Sequence, residues 1–233
     1  MKTPKQMKPT NPLINYITEH EKKRNKSVFD FNGTSVIVKD PPEWEGFSAE
    51  ELAEYVLGRV PEHFLENVEI IYVGEFPILK GRNAVFSDGA IYVSHQEPTY
   101  FDMLEDIIHE VGHSLEERYN ALIYTDALKN EFLSKRERLR HILKSQGYEV
   151  PAHHYSRVEY DEGFDNFLSD EVGYPALLSL TMGLFASPYG ATSLQEYFAN
   201  GFEKYLLGDR EYLKTISPVL TSIIDELYYE KES

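Results

Sequence analysis

The chain has 233 residues, 42% hydrophobic and 27% charged, ordinary values for a folded domain that exclude the disordered and fibrous classes. Asp and Glu number 39 against 23 Lys and Arg, a net charge of −16. This argues against nucleic acid, which needs cations to replace phosphate counterions, and against docking on an anionic membrane. Cysteine is absent, so any metal must be held by His, Asp or Glu rather than by thiolate.

Residues 1–26 carry seven Lys/Arg and two Glu, a local charge of +5, with no apolar run of signal-peptide length. They read as a basic N-terminal tail or solvated first helix, and as a candidate control element. The longest apolar stretch, 176–186, is too short to cross a bilayer. The expectation is a soluble protein, cytoplasmic or exported by a route that needs no signal peptide.

Along the chain, Asn32-Gly33 sits between alternating apolar residues in VFDFNGTSVIV and predicts a tight hairpin. Ser48, with Glu51 three residues on, opens a helix by a capping box. Residues 67–74, NVEIIYVG, form a β-branched strand, and Ser87-Asp88-Gly89 joins AVF to AIYVS in a second hairpin. From Thr99 the chain is helical, without a further strand. The segment 129–144, with six Lys/Arg and two Glu, reads as a solvated helix face. Strands with helices, then helices alone, predict an α+β fold in one domain over 27–233. Its α/β lobe covers 27–120 and its helical lobe 121–233, with a cleft between them as the default place for a site.

One helix carries chemistry. Thr99 and Asp102 form its capping box, and Leu104, Ile107, Ile108, Val111 and Leu115 its apolar stripe. His109 and His113 are four apart, so both imidazoles project from one face and can reach a single Zn²⁺. Glu110 stands beside them, able to reach a metal-bound water without being a ligand. Gly112 costs this helix about 1 kcal/mol relative to Ala and implies close approach of another backbone.

A third ligand must be His, Asp or Glu. Metzincins place a glycine at position 116 and a histidine at 119; Glu116 and Tyr119 stand there, which excludes that subclass. Glu116 and Glu117 read as solvated surface, and His153 and His154 as loop residues. Glu196 is the better candidate. Thr192 and Gln195 predict a capping box for a helix whose apolar face is Leu194, Phe198, Phe202, Tyr205 and Leu206. Glu196 lies in its first turn beside aromatics, where a carboxylate is costly to bury unless paired or coordinating.

The two blocks HEVGH and YGATSLQEYFANGF resemble the zinc peptidase family of anthrax lethal factor and the Pro-Pro endopeptidases. In that family a catalytic Tyr precedes the Glu ligand by seven residues, and here Tyr189 precedes Glu196 by seven, with Gly190 following the Tyr. The likeness spans roughly residues 67–207, with its identities concentrated in those blocks. It implies a zincin-like fold of gluzincin type: a small twisted mixed sheet, an active-site helix and a helical C-terminal lobe. It also implies one Zn²⁺ per chain on His109, His113 and Glu196, with Glu110 as general base and Tyr189 as oxyanion stabiliser. Ala90, Ile91, Tyr92, Val93 and Ser94 would be the strand edge on which an extended peptide or protein substrate pairs. The best-known members are secreted and carry delivery domains. This chain shows neither a signal peptide nor such domains, so export and toxin behaviour do not carry over, and neither does the Pro-Pro preference, which depends on loop residues outside the matching blocks. Two rival readings stand beside the metalloendopeptidase. One is a catalytically silent peptide-binding or structural protein on the same scaffold, the other a zinc hydrolase of a non-protein substrate.

Overall fold

The computed structural model describes residues 28–31, 33–42, 44, 46–149 and 151–229. The basic segment 1–26 and Asn32 lie outside the described residues. The fold is α+β, with a small mixed sheet of five strands followed by helices.

Strands β1 (Val28–Phe31) and β2 (Thr34–Val38) pair antiparallel, with Phe31 opposite Thr34 across a two-residue turn. Gly33 takes φ 90° there, a conformation open to glycine and costly for most other residues. Helix α1 (Ala49–Leu57) carries the chain across to β3 (Ile70–Val73), which runs parallel to β2. Ser48 caps α1 through Glu51 N at 3.0 Å, but the Glu51 carboxylate accepts from Tyr100 Oη instead of closing the box.

The second hairpin, β4 (Ala84–Ser87) and β5 (Ala90–Val93), turns through Asp88 and Gly89, both at positive φ. The strand order is β1-β2-β3-β5-β4. β5 is therefore hydrogen-bonded on both sides, parallel to β3 and antiparallel to β4. This corrects the expectation that Ala90–Val93, with Ser94 after it, offers an edge to substrate. Those backbone groups are used within the sheet, and Ser94 N donates to Asn83 O at 2.7 Å. The outer strand is β4.

Residues of the sheet alternate as a pleated surface requires. Val36, Ile71 and Ile91 face inward and are fully buried, while Tyr72 and Tyr92 stack on the other face, ring centroids 5.1 Å apart. Helix α2 (Tyr100–Leu115) packs under β4 and β5. Thr99 caps it as the sequence predicts, its Oγ1 accepting from Asp102 N at 3.2 Å. Met103, Leu104, Ile107, Ile108, Val111 and Leu115 are all buried.

The rest is helical: α3 (Asn120–Ile123), α4 (Asp126–Ser145), α5 (Glu162–Asn166) running into a π-helical turn, and α6 (Tyr174–Leu180). Three more helices follow, α7 (Leu194–Leu207), α8 (Arg210–Ile216) and α9 (Pro218–Tyr229). Buried side chains from Phe31 to Leu227 join in one hydrophobic core. No helix among the described residues is long and apolar enough to cross a membrane.

The cationic run on α4 is not simply a solvated face. Lys135 and Arg136 are interior, 5% and 0% exposed. The Lys135 ammonium donates to Leu184 O and Ile216 O, both at 2.6 Å, and to Ser217 Oγ at 2.7 Å. Arg136 lies over the rings of Phe132 and Phe164 and donates to Arg157 O. Carbonyls gathered at the ends of neighbouring segments receive the Lys135 ammonium, whereas Arg136 has one carbonyl and two aromatic faces, its Nε and Nη2 lacking a hydrogen-bond partner among the described residues.

Three fully packed phenols set the alkaline limit of the fold. Tyr155, Tyr197 and Tyr205 are 2%, 2% and 1% exposed. Burial first, aided for the last two by Glu131 and Asp225, holds their pKa above the ordinary value. Above pH ~10 the unfolded chain ionises these phenols while the fold keeps them protonated. The unfolded state then binds fewer protons, and stability falls as pH rises, by roughly 1.4 kcal/mol per pH unit for each phenol. Lys135, pushed down to about 8 by burial, acts the other way between pH 8 and its unfolded pKa near ~10.4. Urea midpoints should therefore rise modestly between pH 8 and 10 and drop by pH 11; equal midpoints at pH 9 and 11 would contradict this.

Candidate metal centre

Helices α2 and α7 pack against one another, and their closest approach explains Gly112. A Cβ there would lie 3.2 Å from Ala199 Cα and 3.4 Å from its Cβ, so a larger residue would press the two helices apart by a few tenths of an ångström. That approach brings the carboxylate of Glu196, on α7, to the two histidines of α2. Glu196 Oε2 is 3.0 Å from His109 Nε2 and 3.6 Å from His113 Nε2, and the two Nε2 atoms are 3.2 Å apart. This is the one group of its kind among the described residues, and it could hold a metal ion. Donors on a tetrahedral ion at about 2.0–2.1 Å stand roughly 3.3 Å from each other, which these separations match.

α7 begins one residue later than the sequence predicts. Ser193 is the cap, its hydroxyl accepting from Glu196 N at 3.1 Å. Thr192 is not available for capping, because its hydroxyl donates to Tyr189 O within the short 3₁₀ turn Tyr189–Ala191. In this register Glu196 is the third helical residue, the usual partner of a capping serine. Its side chain turns instead to the imidazoles.

The 3₁₀ turn holds Tyr189 beside the site, its ring 6.4 Å from that of His109. Asn200, unnoticed in the sequence, secures this turn to α7. It donates to Glu196 O at 3.0 Å and accepts from the Ser187 hydroxyl. Burial first, then the Glu196 charge, keeps the Tyr189 phenol protonated well above its ordinary range.

Each imidazole has a second carboxylate at its other nitrogen. His113 Nδ1 donates to Glu116 Oε1 at 2.6 Å, since a carboxylate can only accept. His109 Nδ1 faces Glu203 Oε2 at 3.6 Å. The proton on His113 Nδ1 leaves its Nε2 lone pair directed at the shared centre, and the Glu203 charge near His109 Nδ1 favours the same tautomer there. Glu116 is therefore no solvated surface residue, in contrast to Glu117, which is exposed. Glu203 is also placed by the fold, seven residues beyond Glu196 on the same helix. His153 and His154 stand apart from this centre, His154 stacked on Phe164.

The electrostatics favour a cation. Burial works against charge on His109 and His113, yet Glu196, Glu203 and Glu116 outweigh it and raise both imidazoles above their ordinary pKa. For Glu196, burial is likewise outweighed by the two imidazoles, which hold it well below the usual carboxylate range. Further along the wall, burial and the neighbouring Glu97 push Asp106 upward, so that pair keeps a proton where free carboxyls would not.

A cavity of about 820 Å³ opens over the centre, lined among others by Phe86, Glu110, His113, Tyr189 and Glu196. Glu110 is 8% exposed, and its Oε2 accepts from Phe86 N, on β4, at 2.6 Å. This bond shows that Phe86 turns its backbone polar groups away from β5. By the alternation of an antiparallel pair, Ala84 does the same. No protein-family model, curated protein or solved structure matches the chain.

Proposed function

We propose that the protein is a zinc metalloendopeptidase of gluzincin type, with a zincin-like fold akin to the lethal factor catalytic domain. The observation that carries this reading is the convergence of His109 Nε2, His113 Nε2 and Glu196 Oε2 from two helices at near-tetrahedral separations. Zinc suits this donor set of two imidazoles and a carboxylate, and when bound there would supply an acidified water and a Lewis acid for a carbonyl.

The chain's own residues do the rest. Glu110 accepts the proton of the attacking water and returns it to the leaving amine. Its hydrogen bond from Phe86 N fixes the carboxylate at the wall of the cavity, next to the two histidines. Tyr189, kept protonated, donates a hydrogen bond to the oxyanion that develops on the substrate carbonyl. Substrate lies extended along β4, whose outward Ala84 groups and Phe86 carbonyl pair with its backbone, the Phe86 N–H being held by Glu110. The outer position of β4 and its place in the cavity wall support a peptide substrate over a non-protein one.

The test is digestion of a peptide library read by mass spectrometry. Cleavage should occur within chains rather than only at their ends, cease on chelation, and return with added zinc. Cleavage that survives chelation, or none with zinc bound, would overturn the proposal.

A further inference from the structure

We propose that Glu116 is a positioning residue that presets the metal centre by gripping a ligand on one helix and the helix that supplies another. The inference rests on reading His109, His113 and Glu196 as metal ligands. Glu116 follows the last residue of α2, and its side chain folds back over the helix end, only 12% exposed. Oε1 accepts from His113 Nδ1 at 2.6 Å, and Oε2 accepts from Gln195 Nε2 at 2.8 Å. Gln195 is the residue before Glu196. One carboxylate thus ties the imidazole of α2 to the first turn of α7, beside the third ligand.

Two physical effects follow. The bond to His113 fixes the ring's rotation and tautomer and makes its Nε2 a better donor. The bond to Gln195 fixes the first turn of α7 against the end of α2, so the ligands are already gathered before an ion arrives. Charge adds to this. Two neutral imidazoles and one carboxylate leave a divalent ion with one uncompensated positive charge, and Glu116 places a negative charge behind His113. Glu203 has a lesser role: it faces His109 Nδ1 at 3.6 Å, beyond hydrogen-bond length.

Zinc dissociation constants, measured by competition with a chelating indicator, test this on the full chain. Glu116→Ala should weaken zinc binding by about 10–100-fold, while Glu116→Gln, which keeps an acceptor for His113, should recover most of the loss. Gln195→Ala removes the grip on α7 alone and should weaken binding less. Gln195 is exposed, so this variant tests the strut without a core change. Because Gln195 acts through Glu116, the double variant should bind no more weakly than Glu116→Ala. Wild-type affinity in Glu116→Ala, or two losses that multiply in the double variant, would overturn the proposal while leaving the metal centre intact. A wild-type protein that binds no zinc would instead refute the metal reading and this inference together.

Discussion

Glu110→Gln should leave a protein that holds zinc as the wild type does and turns substrate over about 10²–10⁴ times more slowly. The substitution is chosen for what it preserves. Glu110 is 8% exposed and accepts the Phe86 amide proton at 2.6 Å, and a glutamine oxygen can accept the same bond in the same place. What it cannot do is take a proton from water. Steady-state kcat/KM beside zinc content per chain makes the check. Equal turnover with equal zinc would remove Glu110 from the chemistry, and with it the metalloendopeptidase mechanism. Lost zinc would show that the residue serves the metal instead.

Glu196→Ala should have the opposite signature: a folded chain that no longer retains zinc. Two histidines one turn apart would remain, without the anionic donor that completes three protein ligands and leaves one position open. The loss of affinity should exceed the roughly 10–100-fold that follows from losing a ligand's hydrogen-bond partner. Thermal melting gives a second reading. Zinc at 100 times its dissociation constant stabilises the wild type by about 2.7 kcal/mol, and the shift in Tm it produces should vanish in the variant. If Glu196→Ala binds zinc as tightly as the wild type, the third ligand is misassigned, and Glu203 is the next carboxylate to try.

How much of this the chain discloses by itself depends on how local the cause is. The helix holding His109, Glu110 and His113 is legible because capping and a 3.6-residue period act over a single turn or two. The cap of α7 is misplaced by one residue for an equally local reason: Thr192 and Ser193 both qualify, and only the turn at Tyr189 consumes the Thr192 hydroxyl. Lys135 and Arg136 look like surface cations, since nothing nearby in sequence announces the carbonyls of Leu184, Ile216 and Arg157 that receive them. A hairpin's sequence shows that two strands pair, but not which one takes the inner place. Pairing of β5 with β3, across an intervening strand in the chain, decided that and moved the outer edge to β4.

Composition and short-range pattern determined the acidic α+β chain, the absence of thiolate chemistry, and the pair of histidines with a glutamate between them. They also marked Gly112 as a point of close contact, because a helix tolerates the cost of glycine only for such a reason. The tertiary structure decided the rest: that Ala199 is what approaches Gly112, that Glu196 thereby comes within 3.0 Å of His109, and that Glu116 binds His113 and Gln195 together. These meetings join residues 79–87 positions apart in the chain. No local propensity spans such a distance; the packing of α2 against α7 does.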